Sequence, residues 1–227
     1  TGFSTIDFGA RSGTLWINNT DPAGVTFGSP LAGSAGFAKA GAGMLNLTAA
    51  STITGLISVN GGVLRVGNAA ALGAVPSLSV ESGGTFDLAG SSLSTFTLDA
   101  LTSTGYGGGS VSIGAKTLIL GAAGGSGTFS GNISGTGTLI KNGAGELILN
   151  DVNSFTGTVI INAGTLHIMR EPSSVSGGVV LSAPVTINPG ATFHVDMSSN
   201  PTNASPYYTG FVTMHSGTLA VTNLNTS

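Results

Sequence analysis

The chain contains no cysteine, very little charge and almost no helix signal. The missing cysteines exclude a disulfide scaffold and a thiolate metal site. Its 227 residues include six basic and nine acidic side chains, a net charge of −3. No basic patch exists to offset phosphates, so nucleic acid is not an expected partner. No apolar run approaches the roughly 18 residues of a spanning helix, so no membrane-spanning segment is expected. Thr1-Gly2-Phe3-Ser4 has neither the basic nor the apolar region of a signal peptide. A start without Met reads as a mature product or a fragment of a longer chain. Helix formers do not recur at three- to four-residue spacing, and glycine interrupts nearly every window.

Gly, Ser and Thr supply 94 of the 227 residues, a composition that ordinarily signals disorder. Yet 41% of the residues are hydrophobic, enough for a core. They are arranged in short alternating runs, each opened by a small residue. Examples are Gly43-Met44-Leu45-Asn46-Leu47, Gly62-Val63-Leu64-Arg65-Val66, Gly84-Thr85-Phe86-Asp87-Leu88, Gly145-Glu146-Leu147-Ile148-Leu149 and Gly164-Thr165-Leu166-His167-Ile168. Two apolar residues two apart share one face of a strand, and the residue between them points away. The runs recur at about 20 residues: Leu45 to Leu64 is 19, Leu64 to Phe86 is 22, Leu147 to Leu166 is 19 and Leu166 to Phe193 is 27. A strand period of that size, with Gly and Asn at the breaks, predicts stacked coils. The expected fold is all-β, a single right-handed parallel β-helix (β-solenoid) of about 20 residues per coil. Eleven such coils would make a rod on the order of 50 Å. The alternative, an antiparallel sandwich or barrel, fits the constant polarity of the runs less well.

A longer repeat overlies the coils. Shifted by 102 residues, Lys39–Val66 falls on Lys141–Ile168 without a gap, with 11 of 28 positions identical. The coinciding residues include Lys39 with Lys141, Gly41 with Gly143, Gly43 with Gly145, Leu45 with Leu147, Gly62 with Gly164 and Leu64 with Leu166. Arg11–Leu15 resembles His215–Leu219 at twice that shift. The organisation expected is one β-helix over 1–227, with a repeat copy at 11–113, a second at 114–214 and the start of a third at 215–227.

The stretch Lys141-Asn142-Gly143-Ala144-Gly145-Glu146-Leu147-Ile148-Leu149, followed by Asn153-Ser154-Phe155-Thr156-Gly157-Thr158 and Gly164-Thr165-Leu166, resembles the autotransporter-associated β-strand repeat. This is the passenger-associated transport repeat of Gram-negative type V secretion. Its pattern is Lys-x-Gly-x-Gly-x-Leu-x-Leu, an Asn-x-aromatic turn, then a Gly-x-Leu strand. The first copy departs from it: Ile53 stands where the second has Phe155, and Leu56 replaces Thr158. The resemblance implies a passenger region exported to, or released from, the bacterial cell surface. It makes the Lys141–Ile168 segment a stacking nucleus for folding after export, and it specifies no activity. No translocator strands are recognised in this chain.

Candidate sites are sparse. Glu81, Asp87 and Asp99 lie in one stretch, and Lys141, Glu146 and Asp151 in another, without an Asp-x-Asp cluster. Asp87 and Arg65, at matching outward positions, are expected to form a surface ion pair worth roughly 0–1 kcal/mol. His167 and His194 share one outward motif position, but two histidines without a third ligand seldom make a metal site. Catalytic residues, cofactors and metals are therefore all expected to be absent. Thr95-Phe96-Thr97 does not recur by coil, as an ice-binding array would require. The irregular His194–Met214 stretch, with Tyr207, Tyr208 and Phe211, is the candidate interaction loop. The function expected is structural or adhesive, acting at the cell surface, at the outer membrane or after secretion. Its partners would be identical chains, associated laterally or end to end, or host and matrix glycans and proteins. Two other classes fit less well: a stalk for an effector or toxin whose activity lies elsewhere, and a carbohydrate-active β-helix enzyme, which needs converging acids.

Overall fold

A computed structural model of the chain describes residues 4–105, 107–169, 180–197 and 208–222. It is a parallel β-solenoid of about nine turns, with roughly 22 residues per turn. Among the described residues every strand pairing is parallel. No helix there is long and apolar enough to cross a membrane. The period is longer than 20, and the turns fewer than eleven, because several turns are lengthened at their corners. Val159 pairs with Val185, Leu166 with Phe193 and Phe193 with Leu219, steps of 26 or 27 residues.

The strands follow one another around three faces. The first face carries Ile6–Asp7, Leu31–Gly33 and Thr52–Ile53, then a six-stranded sheet from Thr95–Leu98 to Val212–Met214. The second carries five strands from Gly13–Trp16 to Ala100–Thr102, then five from Gly127–Phe129 to Thr218–Thr222. The third is a seven-stranded sheet from Val25–Phe27 to Ser154–Phe155.

The core follows from register. Residues equivalent in successive turns pair with each other, so each inward position becomes a column. Leu45, Leu64, Phe86, Val111 and Ile133 form one column on the third face. Phe96, Leu118, Leu139, Val159 and Val185 form one on the first. Every member of both is buried. Burying a Leu, Val, Ile or Phe contributes about 1.5–3 kcal/mol per side chain, so the columns supply most of the driving force.

The glycines make the corners possible. Gly41, Gly143, Gly62 and Gly164 have φ between +62° and +77°, the left-handed region that a Cβ disfavours. They are also crowded by the neighbouring turn. A Cβ on Gly164 would lie 2.3 Å from the Gly145 carbonyl oxygen and 2.5 Å from that of Gly143.

The 102-residue repeat does not coincide with a whole number of turns. At roughly 22 residues per turn it amounts to about 4.6 turns. In the first copy the strands Phe37–Ala40 and Ile57–Val59 lie on the second face, with Met44–Leu47 and Gly62–Val66 on the third. Their counterparts in the second copy, Thr138–Lys141 with Thr158–Ile161 and Glu146–Leu149 with Thr165–Ile168, lie on the first and second faces. The motif is displaced by one face between copies.

A pair of substitutions separates backbone conformation from crowding. Gly83 has φ +83°, but a methyl group added to its Cα would meet no atom within 4 Å. Gly83→Ala should therefore cost about 1–2 kcal/mol, the left-handed penalty alone. Gly164→Ala adds a clash with two carbonyls and should cost at least about 3 kcal/mol. Urea unfolding followed by circular dichroism measures both.

Candidate functional site

The residues shared by the two repeat copies build one device twice. Lys39 and Lys141 stand at inward positions of their strands. Lys39 pairs in register with Leu15 and Val59, and Lys141 with Leu120 and Ile161. A lysine thus replaces an apolar residue within a core column. Lys39 is 0% exposed and Lys141 1%. Their methylene stems pack in the core, and their ammonium groups bend to the corner carbonyls.

Lys39 Nζ donates to Gly41 O and Gly61 O, each at 2.7 Å. Lys141 Nζ donates to Asn142 O at 2.7 Å, Gly143 O at 2.9 Å and Ala163 O at 3.3 Å. Lys39 takes one carbonyl from its own turn and one from the next; Lys141 takes two from its own turn and one from the next. The ammonium therefore clamps two successive corners. Burial pushes both ammonium groups below the ordinary lysine pKa. N–H donors aimed at two backbone oxygens for Lys39 and three for Lys141 offset that desolvation. The motif glycines have a role here as well: the left-handed φ of Gly41 and Gly143 sets the corner whose carbonyls the lysine binds.

A second shared element is a polar side chain buried at the opposite corner. Asn153 accepts from Ile133 N at 2.8 Å through Oδ1 and donates to Val180 O at 3.2 Å through Nδ2. It touches the turn before and the turn after its own. Ser51, its equivalent 102 residues earlier, accepts from Leu31 N at 3.0 Å, and its own N–H donates to Ala70 O at 2.8 Å. Sequence reasoning missed both roles. Their signal was a polar residue two positions before the buried Ile53 and Phe155. Leu45, Leu64, Leu147 and Leu166 are buried, and Leu45 pairs with Leu64 and Leu147 with Leu166.

The remaining candidates are spread along the rod. Arg65 and Asp87 pair in register and form a half-buried ion pair, Nη2 to Oδ2 2.6 Å and Nε to Oδ2 3.0 Å. Glu81 is bound by the Ser79 hydroxyl and by the Thr104 N–H at 2.9 Å. Against the opposing effect of burial, these hydrogen bonds together lower its pKa. In the candidate interaction loop Tyr207 lies outside the described residues. Tyr208 turns inward: its ring meets Phe193 edge-on at 5.2 Å, and its hydroxyl donates to Phe211 O at 2.8 Å and Ala183 O at 3.1 Å. Burial raises its pKa to about 12. Phe211 is 69% exposed. Of the three aromatics, Tyr208 is a packing residue and Phe211 faces outward.

The family comparison falls on this device. The passenger-associated-transport-repeat family model matches residues 37–66 and 139–168, the two segments that carry the lysine clamps. A curated relative, the adhesin BmaC autotransporter of Brucella suis biovar 1 (strain 1330), is 36% identical over 141 residues. That match covers 61% of this chain and 4% of the relative, so the chain corresponds to a small part of that protein's length. No solved structure matches the chain.

Lys141→Met should cost about 2–4 kcal/mol in urea unfolding, because it leaves buried carbonyls without donors while keeping the stem volume. The pH dependence has a definite sign. A lysine pKa lowered by folding means that the unfolded chain binds more protons just below the ordinary value of 10.5. The contribution of these groups to stability therefore rises with pH through that window. Tyr208 acts oppositely: its raised pKa makes its contribution fall between pH 10 and about 12. Unfolding free energies of the Lys39→Met/Lys141→Met pair from pH 8 to 10 should lack the rise shown by the parent chain.

Proposed function

We propose that this chain, an autotransporter passenger segment carrying passenger-associated transport repeats, is a stalk whose long outer faces make adhesive contacts at or beyond the bacterial surface. The observation that carries the reading is the 36% identity with an adhesin autotransporter. The surface agrees with it. The 15 charged residues are spread thinly over about nine turns, and the outward positions are mainly Ser, Thr and Asn. Ser58, Ser79, Glu81 and Thr104 line a shallow polar groove with the half-exposed Leu56 at its rim. Such a face suits many weak contacts, which gain strength by multiplicity rather than from one deep pocket.

The transport repeats act at an earlier stage, in folding. A solenoid emerging through a pore is built turn by turn, and a turn gains its core only when the next one stacks on it. A clamp that joins two corners through one ammonium lowers the cost of the first stacked pair. The lysine-bearing segments are therefore where stacking begins.

The adhesive reading is testable. The chain displayed in many copies on beads should adhere to host cells or matrix glycans, while the free monomer binds too weakly to detect. Equal, undetectable binding by both would reduce the segment to a spacer. Electron microscopy and sedimentation at high concentration distinguish a self-associating face, which gives filaments, from separate short rods.

A further inference from the structure

Two turns carry a polar cluster on the outer side of the second face that the stalk reading does not use. His167 lies in the strand Thr165–Ile168, and His194 and Asp196 in Thr192–Asp196. His167 and His194 are register partners, and their rings stack with centroids 4.1 Å apart. Asp196, two residues beyond His194, projects from the same side of the strand. One donor atom from each of the three side chains lies within 4.8 Å of the other two. Two histidines alone made a weak case; Asp196 is the third ligand type they lacked.

Hydrogen bonding fixes which atom of His167 is available. Its Nδ1 is 3.0 Å from Glu146 Oε1. A carboxylate only accepts, so Nδ1 donates to Glu146, and Nε2 is the ring nitrogen turned to Asp196. That Nε2 is buried and has no hydrogen-bond partner. It faces Asp196 Oδ2 at 3.7 Å, too far for a hydrogen bond. Two ligand bonds of about 2.0–2.1 Å meeting near the tetrahedral angle separate their donors by about 3.4 Å, close to the gap observed. His194 Nε2 is 2.8 Å from Thr222 Oγ1; when it donates there, its Nδ1 is the ligating nitrogen.

We propose that His167, His194 and Asp196 form a binding site for a divalent transition-metal ion of the zinc class. Two imidazoles and one carboxylate supply three ligands and leave a fourth position for water. Glu146 is the outer partner that orients His167. Binding tilts the two rings out of their stack so that both nitrogens point at one ion. The ion then ties together turns whose register partners are 27 residues apart in sequence, one of the longest steps in the solenoid. It acts as an external rivet on the rod. This site stands or falls independently of the adhesive reading.

Zinc titration of the untagged 227-residue chain by isothermal calorimetry tests it, with Co2+ absorption as the probe of coordination. One ion should bind per chain, and Co2+ should give the intense visible bands of a four- or five-coordinate site with histidine ligands. His194→Gln and Asp196→Asn should each weaken binding at least tenfold. Glu146→Gln, which removes no ligand, should weaken it about ten- to a hundredfold. His215→Gln, which alters the exposed third histidine, should bind as the parent does. The circular dichroism of each metal-free variant shows whether it has folded. Absence of stoichiometric binding overturns the site, as does equal loss on His215→Gln or retention by a folded Asp196→Asn. An imidazolium at His167, seen by nuclear magnetic resonance at pH 7 and not displaced by zinc, overturns it too.

Discussion

A parallel solenoid depends on closing each turn without stranding the backbone groups of its corners. Along the flat faces the problem solves itself, because each strand donates to and accepts from both neighbours, alternate residues facing opposite sides. At a corner the chain changes direction, its carbonyls diverge from the ladder, and the interior they face is apolar. An unpaired buried carbonyl costs about 1–3 kcal/mol, and a rod repeats that cost at every turn. Here the corner oxygens of Gly41 and Gly61, and of Asn142, Gly143 and Ala163, are collected by a buried ammonium. One cation serves two turns, so it satisfies the corner and also fixes the stacking distance.

That constraint explains why the shared motif takes the form it does. A lysine is the one side chain long enough to leave a core column, supple enough to curl back, and supplied with three donors and no acceptor. Arginine's planar fork matches carboxylates better than a ring of diverging carbonyls. The glycines two and four residues later follow from the same corner, since the left-handed turn at Gly41 or Gly143 presents its carbonyl inward. The motif is therefore a property of one corner and has no need to keep phase with the rod. Its displacement by one face between copies follows: a 102-residue interval that is not a whole number of turns is tolerated, because each clamp needs only the turn directly above it.

Most of the fold was legible in the sequence because inward residues two apart report both strand and register. The pairs Leu45 with Leu64, Leu64 with Phe86 and Leu147 with Leu166 follow directly from the spacing of the runs. The outward pair Arg65 and Asp87 was legible for the same reason. Less of the candidate site was legible. Lys39 and Lys141 appear as charged residues at the ends of runs, where a solvated position is the ordinary expectation; only the folded chain reveals that they face the core. Asp196 ends its strand and belongs to no repeated motif, so nothing in its spacing tied it to His167. The lengthened step from Leu166 to Phe193 leaves the strand pairing intact, because its extra residues fall at a corner.

The two clamps are not equal, and the difference has a direction. Lys141 reaches three carbonyls where Lys39 reaches two. Asn153 bonds to the turns on both sides through its side chain, whereas the Ser51 hydroxyl accepts from one. The second copy also has an asparagine ladder at its corner: Asn162 donates to Asn142 at 2.8 Å and Asn188 to Asn162 at 2.6 Å. In the first copy Ala40 stands at the position of Asn142 and Glu81 at that of Asn188, and Glu81 bonds to Ser79 and Thr104 instead, so the ladder is missing there. Cross-strand pairs of this kind add a few tenths to about 1 kcal/mol each and favour a single register. These additions meet in the turns around Thr138–Ile168, which are therefore tied to one another by more side-chain bonds than the turns of the first copy. On the folding role proposed for the transport repeats, a rod that stacks turn by turn starts where two turns hold each other best, and these bonds point to the second repeat.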